Sequence, residues 1–366
     1  MAGGRGARLY PLTQDAPKPL LPMMGRPLID HTMAYLERQG FREAIITTGH
    51  QCKPLLNHLN RTSYHPCDVV CALEEFPLGT AGSVRNAESM LSETFLVMSS
   101  DIVTDADLME AVRAHRRSGA LMTMLVSEVP DVSLFGMVVA DAKGRVIDFR
   151  EKPRSPDEVV SRLANAGIYV MEPEALGMIP RSRYCDFARD VIPRMLASGR
   201  SVYAHPISGY WCDVGTAQRY RKAHLDVMKG RVQLPGFDAP SAGADGAASG
   251  ATLDPSVKIS GPVWVGRGAS VGAGTRLGPY AFLADGVHVG DGASIAWSVL
   301  NQGVVVGSSS QVDRSVIGSD TRLPSGSRVR SSVIHGYTTI RIPATDSEPM
   351  APLSRSAEGM RTAAVT

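Results

Sequence analysis

Three glycines and three cations crowd the first twenty residues. Gly3, Gly4 and Gly6 stand with Arg5, Arg8 and Lys18 in the string Ala2-Gly3-Gly4-Arg5-Gly6-Ala7-Arg8-Leu9-Tyr10-Pro11-Leu12-Thr13, followed by Pro17-Lys18-Pro19-Leu20. Glycines this close together let the backbone approach an anion and aim its N–H groups at it, and the cations supply countercharge. The chemistry suggested is phosphate binding. The string lacks the Lys-Ser/Thr ending of a P-loop, and its glycine spacing is not that of a dinucleotide-binding turn. Alone, it also reads as a tight strand-to-helix turn.

Other strings accompany it. Gly79-Thr80-Ala81-Gly82 is a second small-residue turn before a helix-like stretch. Ser99-Ser100-Asp101 puts a carboxylate at the end of the apolar run Phe95 to Met98. Phe149-Arg150-Glu151-Lys152-Pro153 follows another strand-like run, Asn165-Ala166-Gly167-Ile168-Tyr169 opens the next, and Tyr210-Trp211-Cys212-Asp213-Val214-Gly215-Thr216 closes the set. In this order the motifs resemble those of the sugar-nucleotide pyrophosphorylases, which make NDP-sugars from an NTP and a sugar 1-phosphate. The resemblance covers about residues 1 to 230, and among the branches it is nearest to the mannose-1-phosphate guanylyltransferases.

The resemblance implies a role for each matching residue. The Gly3, Gly4 and Gly6 backbone with Arg8 would hold the triphosphate, and Lys18 would neutralise the α-phosphate or the departing pyrophosphate; Arg5 fills a variable slot. Asp101 and Asp213 would ligate Mg²⁺, which suits hard oxygen donors and accepts one or two carboxylates beside its waters. Lys152 would grip the sugar phosphate and Glu151 the sugar hydroxyls, with Gly136 and Asn165 as further sugar contacts. Gly79 would lie against the base, beside Thr80. Glu74 or Glu75 would accept from guanine N1–H and its amine, or else serve as an exposed helix cap. The implied reaction is GTP plus mannose 1-phosphate to GDP-mannose. The alternatives are ADP-, UDP- or dTDP-glucose synthesis, or a non-catalytic sugar-nucleotide-binding regulatory subunit.

Residues 1 to about 230 alternate helix-like and strand-like segments. Pro27 to Gln39 and Asp105 to Arg117 read as helices ending at Gly40 and Gly119, and Ala44 to Thr48, Val69 to Leu73 and Leu121 to Val126 as strands. Such alternation predicts a doubly wound, mostly parallel, Rossmann-like α/β sheet with its ligand at the carboxyl ends of the strands. Residues 231–251 read as a flexible Gly/Ala/Pro linker. Beyond it, Ile259, Val265, Val271, Leu277, Leu283, Val289 and Ile295 fall six apart. After Trp297-Ser298-Val299 the series runs Leu300, Val306, Val312, then slips one place to Ile317, Leu323 and Val329. A hexapeptide repeat predicts a small left-handed parallel β-helix over 252–342, about three hexads per coil and four to five coils. Residues 343–366 read as a disordered tail. A hexapeptide acyltransferase would also use such a helix, but needs an interfacial histidine. His288 and His335 are the only histidines in that half, and His288 reads as an outward coil residue.

The 366 residues carry a net charge of +2, too balanced for a dedicated nucleic-acid binder. No apolar run approaches a membrane span, and no signal-peptide core precedes the loop. Five cysteines without C-x-x-C spacing favour free thiols in a reducing compartment, hence a cytoplasmic protein. His50, Cys52, His58, His65, Cys67 and Cys71 cluster, but their spacing matches no paired zinc pattern, so they read as packing and surface residues. The β-helix suits homo-oligomer formation.

A phosphate loop of this kind hangs from the end of a buried parallel strand. Only Met1 precedes it here. The family places an apolar strand of about five residues before Ala-Gly-Gly, so the expectation is that Met1 is an internal residue and that the natural protein starts earlier.

Overall fold

The computed structural model describes residues 1–4, 6–49, 52–62, 67–235, 246–247 and 250–341. Arg5, His50, His65, most of the expected linker and the expected tail therefore lie outside the described residues. The first part holds strands β1 (Glu43–Gly49), β2 (Asp68–Glu74), β3 (Phe95–Met98), β4 (Ile102–Thr104), β5 (Met122–Glu128), β6 (Gly136–Ala140), β7 (Val146–Glu151), β8 (Leu163–Met171), β9 (Val202–Pro206) and β10 (Trp211–Asp213). Its helices are α1 (Leu28–Arg38), α2 (Lys53–Arg61), α3 (Gly79–Asn86), α4 (Leu108–Ser118), α5 (Ile192–Ala197) and α6 (Ala217–Met228). Helix α4 starts later than its periodicity suggests because Asp107 caps it, accepting from Glu110 N–H at 2.8 Å. Left-handed Gly119 ends it, after a basic last turn.

The α/β architecture is present, with a sheet more mixed than mostly parallel. Pairs β1–β2 and β9–β5 are parallel, whereas β8 runs antiparallel to β3, β5 and β6. The reason lies in β8, which returns antiparallel between β3 and β5, with the hairpin β6–β7 beyond it. Strand β8 does double duty. Its first residues pair with β6, its last with β3, and its register shifts between Asn165 and Tyr169. Gly167, at φ +70, sits inside that bulge.

Strands β1 and β2 form a separate pair. Between the facing edges of β1 and β3 lies a groove of about 700 Å³, lined by side chains of α1, α3 and α4. Met1 and Ala2 bridge it at one end. Ala2 N–H donates to Thr47 O (2.8 Å), and Ser100 N–H donates to Met1 O (3.0 Å).

The second part is a parallel β-solenoid of about five coils on three faces. Every aliphatic of the six-step series lies in a short strand, and Ile259, Leu277, Ile295, Val312 and Val329 stack down one face. The slip in the series has a structural cause. One corner is a residue shorter, turning on left-handed Trp297 (φ 51), Arg314 (φ 48) and Ser331 (φ 45). Each is followed by a buried serine. Ser298, Ser315 and Ser332 stack, with Ser315 N–H donating to Ser298 Oγ and Ser332 N–H to Ser315 Oγ, both at 3.1 Å. The hydroxyls satisfy backbone that the tight corner leaves unpaired.

One continuous core joins the parts through α6. Tyr220, Ala223, Val227 and Met228 pack with Phe282, Leu283 and Leu300 of the solenoid. Tyr220 Oη donates to Pro22 O and lies 3.1 Å from Asn301 Oδ1. His224 stacks between Tyr220 and Phe282 at centroid distances of 4.5 and 5.3 Å. Its Nε2 accepts from Met24 N–H (3.2 Å), so Nδ1 carries the proton given to Tyr220 O (2.9 Å). Nearby, His31 Nε2–H donates to Met23 O (2.8 Å), and His31 Nδ1 has no partner among the described residues.

Burial holds both imidazoles neutral, with pKa values lowered from 6.5 to about 4. The unfolded chain therefore binds more protons between those values. Stability is expected to be full above about pH 6.5 and to fall toward about pH 4, at up to about 2.7 kcal/mol per pH unit for two imidazoles. Urea midpoints at about pH 7.5, 6 and 5 would measure this; equal stability at all three would rule out buried neutral histidines.

Candidate functional site

The glycine loop is shaped by close approach. Gly6 is left-handed (φ +63), and a Cβ there would stand 2.8 Å from Thr13 Cγ2 and 3.2 Å from Lys18 Cβ. Its carbonyl accepts from Thr13 Oγ1 (3.0 Å) and from Leu9 N–H (2.8 Å), which starts the single turn carrying Arg8. A Cβ on Gly4 would meet nothing within 4 Å, so that backbone faces open space. Gly4, Gly6, Arg8, Lys18, Asp101 and Gly215 line one cavity.

Two carboxylates from distant strands meet there. β4 and β10 pair antiparallel with Ile102 opposite Asp213, and Val214 N–H donates to Asp101 O at 2.8 Å. Ser99 Oγ donates to Asp101 Oδ1, and Lys18 Nζ contacts Asp101 Oδ2. Arg219 Nη1 lies 3.4 Å from Asp213 Oδ2. Gly215 is small of necessity: a Cβ would stand 2.9 Å from Asp213 Oδ1 and 3.2 Å from Arg8 Nη2. Burial lowers the Lys18 pKa to about 8, with Asp213 raising it and Arg8 lowering it further. The donor set fits Mg²⁺. Asp101 and Asp213 offer hard carboxylate oxygens, of which Mg²⁺ takes one or two beside its waters and phosphate oxygens.

The expected sugar residues form a neighbouring cluster. Gly136 pairs with Glu151 across β6–β7, and its missing side chain makes room for Phe149 Cζ (2.5 Å from a Cβ) and Glu151 Oε2 (3.0 Å). Lys152, in a left-handed conformation (φ 51), donates its N–H to Phe135 O (2.9 Å) and places Nζ 3.3 Å from Glu151 Oε1. Asn165 spans the β8 bulge, giving Nδ2–H to Tyr169 Oη (2.8 Å) and accepting from Gly167 N–H (3.0 Å). Arg219 joins the clusters: its guanidinium sits 4.2 Å from the Phe135 ring centroid, and that ring packs on Trp211 at 5.2 Å.

The expected base residues turn out to build the scaffold. Glu74 is buried, not an exposed cap; its carboxylate accepts from Leu78 N–H (3.1 Å) and Ser83 Oγ, and lies 3.3 Å from where a Gly3 Cβ would be. It therefore ties α3 to the glycine loop, while Glu75 is exposed. Gly79 is left-handed (φ +74), and the space of its Cβ is taken by Cys185 O (2.6 Å). Thr80 Oγ1 donates to Asp186 Oδ2 and accepts from Phe187 N–H, both at 2.9 Å. Of the His/Cys group read as packing and surface residues, Cys52 and Cys67 are buried in the core, His58 pairs with Asp30 (2.6 Å), and all five cysteines are free thiols.

Sequence reasoning missed Ser99, Gly215 and Arg219 as site residues. Arg219 carries a readable signal. A cation in the first turn of a helix opposes the helix dipole, so something nearby must compensate, and here it is Asp213. Gly215→Ala should fold normally but displace Asp213 and Arg8, lowering turnover about 10- to 100-fold. Steady-state kinetics with a matched melting curve would check this; wild-type turnover would remove the crowding from the mechanism.

The nucleotidyl transferase family profile matches residues 1–230, and a profile described as the GMPPB C-terminal domain matches residues 259–342. The mannose-1-phosphate guanylyltransferase of Mycobacterium tuberculosis is 33% identical over 81% of both chains. Mannose-1-phosphate guanylyltransferase 1 of Arabidopsis thaliana is 30% identical over 81% of this chain and 78% of its own. The UTP–glucose-1-phosphate uridylyltransferase of Synechocystis is 28% identical over 82% and 83%. Among the described residues no helix is long and apolar enough to cross a membrane. The chain belongs to the nucleotidyl transferase family, as a sugar-nucleotide pyrophosphorylase with a C-terminal β-solenoid.

Proposed function

We propose that this nucleotidyltransferase makes GDP-mannose from GTP and mannose 1-phosphate. The observation that carries the chemistry is that Arg8, Lys18 and Asp101 line one cavity with the open backbone of Gly4 and Gly6, with Asp213 beside Arg8 at Gly215. The relatives named as guanylyltransferases support the base and sugar. The reaction is an in-line displacement. A phosphate oxygen of the sugar 1-phosphate bonds to the α-phosphorus of the NTP as the bond to pyrophosphate breaks, and no protein nucleophile is needed.

The chain's residues position the reactants and balance charge. The Gly3, Gly4 and Gly6 backbone and Arg8 hold the triphosphate, and Lys18 neutralises the leaving pyrophosphate. Asp101 and Asp213 hold Mg²⁺, which supplies positive charge to phosphate oxygens when bound. Glu151, Lys152, Gly136 and Asn165 receive the sugar phosphate, with Arg219 between them and Asp213. Glu74, Gly79 and Thr80 would shape the base side, and Glu75, exposed where Glu74 is buried, would be the carboxylate that accepts from guanine. Free thiols support a reducing, cytoplasmic setting. Exposed Tyr337 and Ile340 near the last described coil support homo-oligomer contacts through the solenoid.

Pyrophosphate release should be measured with GTP, ATP, UTP and dTTP, each against mannose and glucose 1-phosphates, in Mg²⁺. The highest kcat/KM is expected for GTP with mannose 1-phosphate; a higher value for UTP with glucose 1-phosphate would overturn the base and sugar. Asp101→Asn should lose about 2–4 kcal/mol of transition-state stabilisation, roughly 30- to 1,000-fold in turnover. Near-wild-type activity in that variant would remove Asp101 from the site.

A further inference from the structure

Two phosphate groups must meet in this reaction, and each brings negative charge that needs its own cation. On the triphosphate side Arg8 and Lys18 line the glycine-loop cavity, with Arg8 next to Asp213 across Gly215. The sugar side is supplied differently. Lys152, the cation expected there, is half exposed, and its Nζ already has Glu151 Oε1 at 3.3 Å. Arg219 is the other cation at that end. Phe135 ties it to the sugar cluster: the ring lies under its guanidinium, the Phe135 carbonyl accepts from Lys152 N–H (2.9 Å), and Gly136 follows opposite Glu151.

The Arg219 side chain is held in place with most of its donors unused. Only 21% of it is exposed, its guanidinium lies 4.2 Å from the Phe135 ring centroid, and that ring packs on Trp211 at 5.2 Å. Trp211 is fixed in turn, its Nε1–H donating to Ala166 O (3.0 Å) beside Asn165. Stacking orients a guanidinium without engaging its N–H groups. Among the described residues its one polar contact is a long ion pair, Nη1 to Asp213 Oδ2 at 3.4 Å. Asp131, the other carboxylate that feels its charge, is exposed and bonded chiefly to Ser133. A rigid planar fork with donors to spare matches two oxygens of one phosphate.

We propose that Arg219 binds the phosphate of the incoming sugar 1-phosphate, holding it on the Phe135 platform between Lys152 and Asp213. The proposal rests on the reading of Gly136, Glu151, Lys152 and Asn165 as the sugar side of the site. Two phosphate oxygens on the fork leave the remaining one to attack the α-phosphorus, and Arg219 itself forms no covalent bond. The position on the helix suits a substrate contact. A cation in the first turn of α6 opposes the helix dipole, and a bound anion offsets that cost.

The test uses whichever NTP and sugar 1-phosphate pair turns over best, so it is separate from the choice of GTP and mannose. Arg219→Gln removes the charge and the fork, whereas Arg219→Lys keeps the charge and much of the aliphatic stem. In Arg219→Gln the KM for the sugar 1-phosphate should rise at least about tenfold, while the KM for the NTP stays within about twofold. Arg219→Lys should give a smaller rise on the same substrate. Inorganic phosphate, competing with the sugar 1-phosphate, should lose potency in both variants in step with that KM, which a role in helix packing would not produce. Melting curves for both variants check that the fold is kept. An unchanged KM for the sugar 1-phosphate in both variants, or an equal rise in the two KM values, would overturn the proposal and leave nucleotidyl transfer standing. No turnover with any pair would instead overturn the reading on which it rests.

Discussion

Asp101 and Asp213 carry like charges from distant parts of the chain, and such charges stay together only when something holds them and something compensates them. The three-residue ladder between β4 and β10 does the holding, with the bond from Val214 N–H to Asp101 O locking the register. Lys18 beside Asp101, and Arg219 beside Asp213, do the compensating. The remaining features serve this arrangement. Gly6 lets the loop fold back so that Lys18 arrives, Gly215 leaves space for Arg8 next to Asp213, and Ser99 orients the Asp101 carboxylate. The result is a cavity whose carboxylates suit a divalent ion and whose cations suit phosphates. That combination is what transfer of a nucleotidyl group requires.

The solenoid is tied to this machinery by α6, which begins just past the Asp213–Gly215 turn. Thr216 caps that helix, Arg219 in its first turn reaches back to Asp213, and Tyr220 and His224 face Asn301 and Phe282 of the solenoid. The same Tyr220 bonds to Pro22 O, in the segment that follows Lys18. One helix therefore touches the Asp213 turn, the segment after Lys18 and the solenoid core. A second link runs from the last coils, where His335 Nε2 lies 2.7 Å from Asp15 Oδ2 on the loop between Arg8 and Lys18. The solenoid's packing is thus part of what positions the site.

Much of this was legible in order and type. The glycine loop, the strand-end carboxylates and the hexads all appear where their residues suggested, and Arg8, Lys18, Asp101 and Asp213 do converge. Less legible were the residues whose purpose lies in a neighbour. Glu74 looks like a base reader beside a turn, yet it is buried as the tie between α3 and the loop. Gly79 looks like a flat surface for a base, and its missing side chain also makes room for Cys185 O. The slip in the hexad series looked like an irregularity, and it is a shorter corner stabilised by three stacked serines.

Sequence by itself determined what depends on local chemistry and short periods. Glycines confer loop conformation within a few residues, a six-residue aliphatic period specifies one inward side chain per solenoid strand, and cap residues start and stop helices. Only the tertiary structure decided which cation stands by which carboxylate, that β8 binds both β3 and β6, and that α6 joins loop, site and solenoid. The physical reason is that hydrogen-bond partners and charge neighbours are set by distance in space. In this fold the decisive ones, such as Lys18 with Asp101 and Tyr220 with Pro22, lie far apart along the chain.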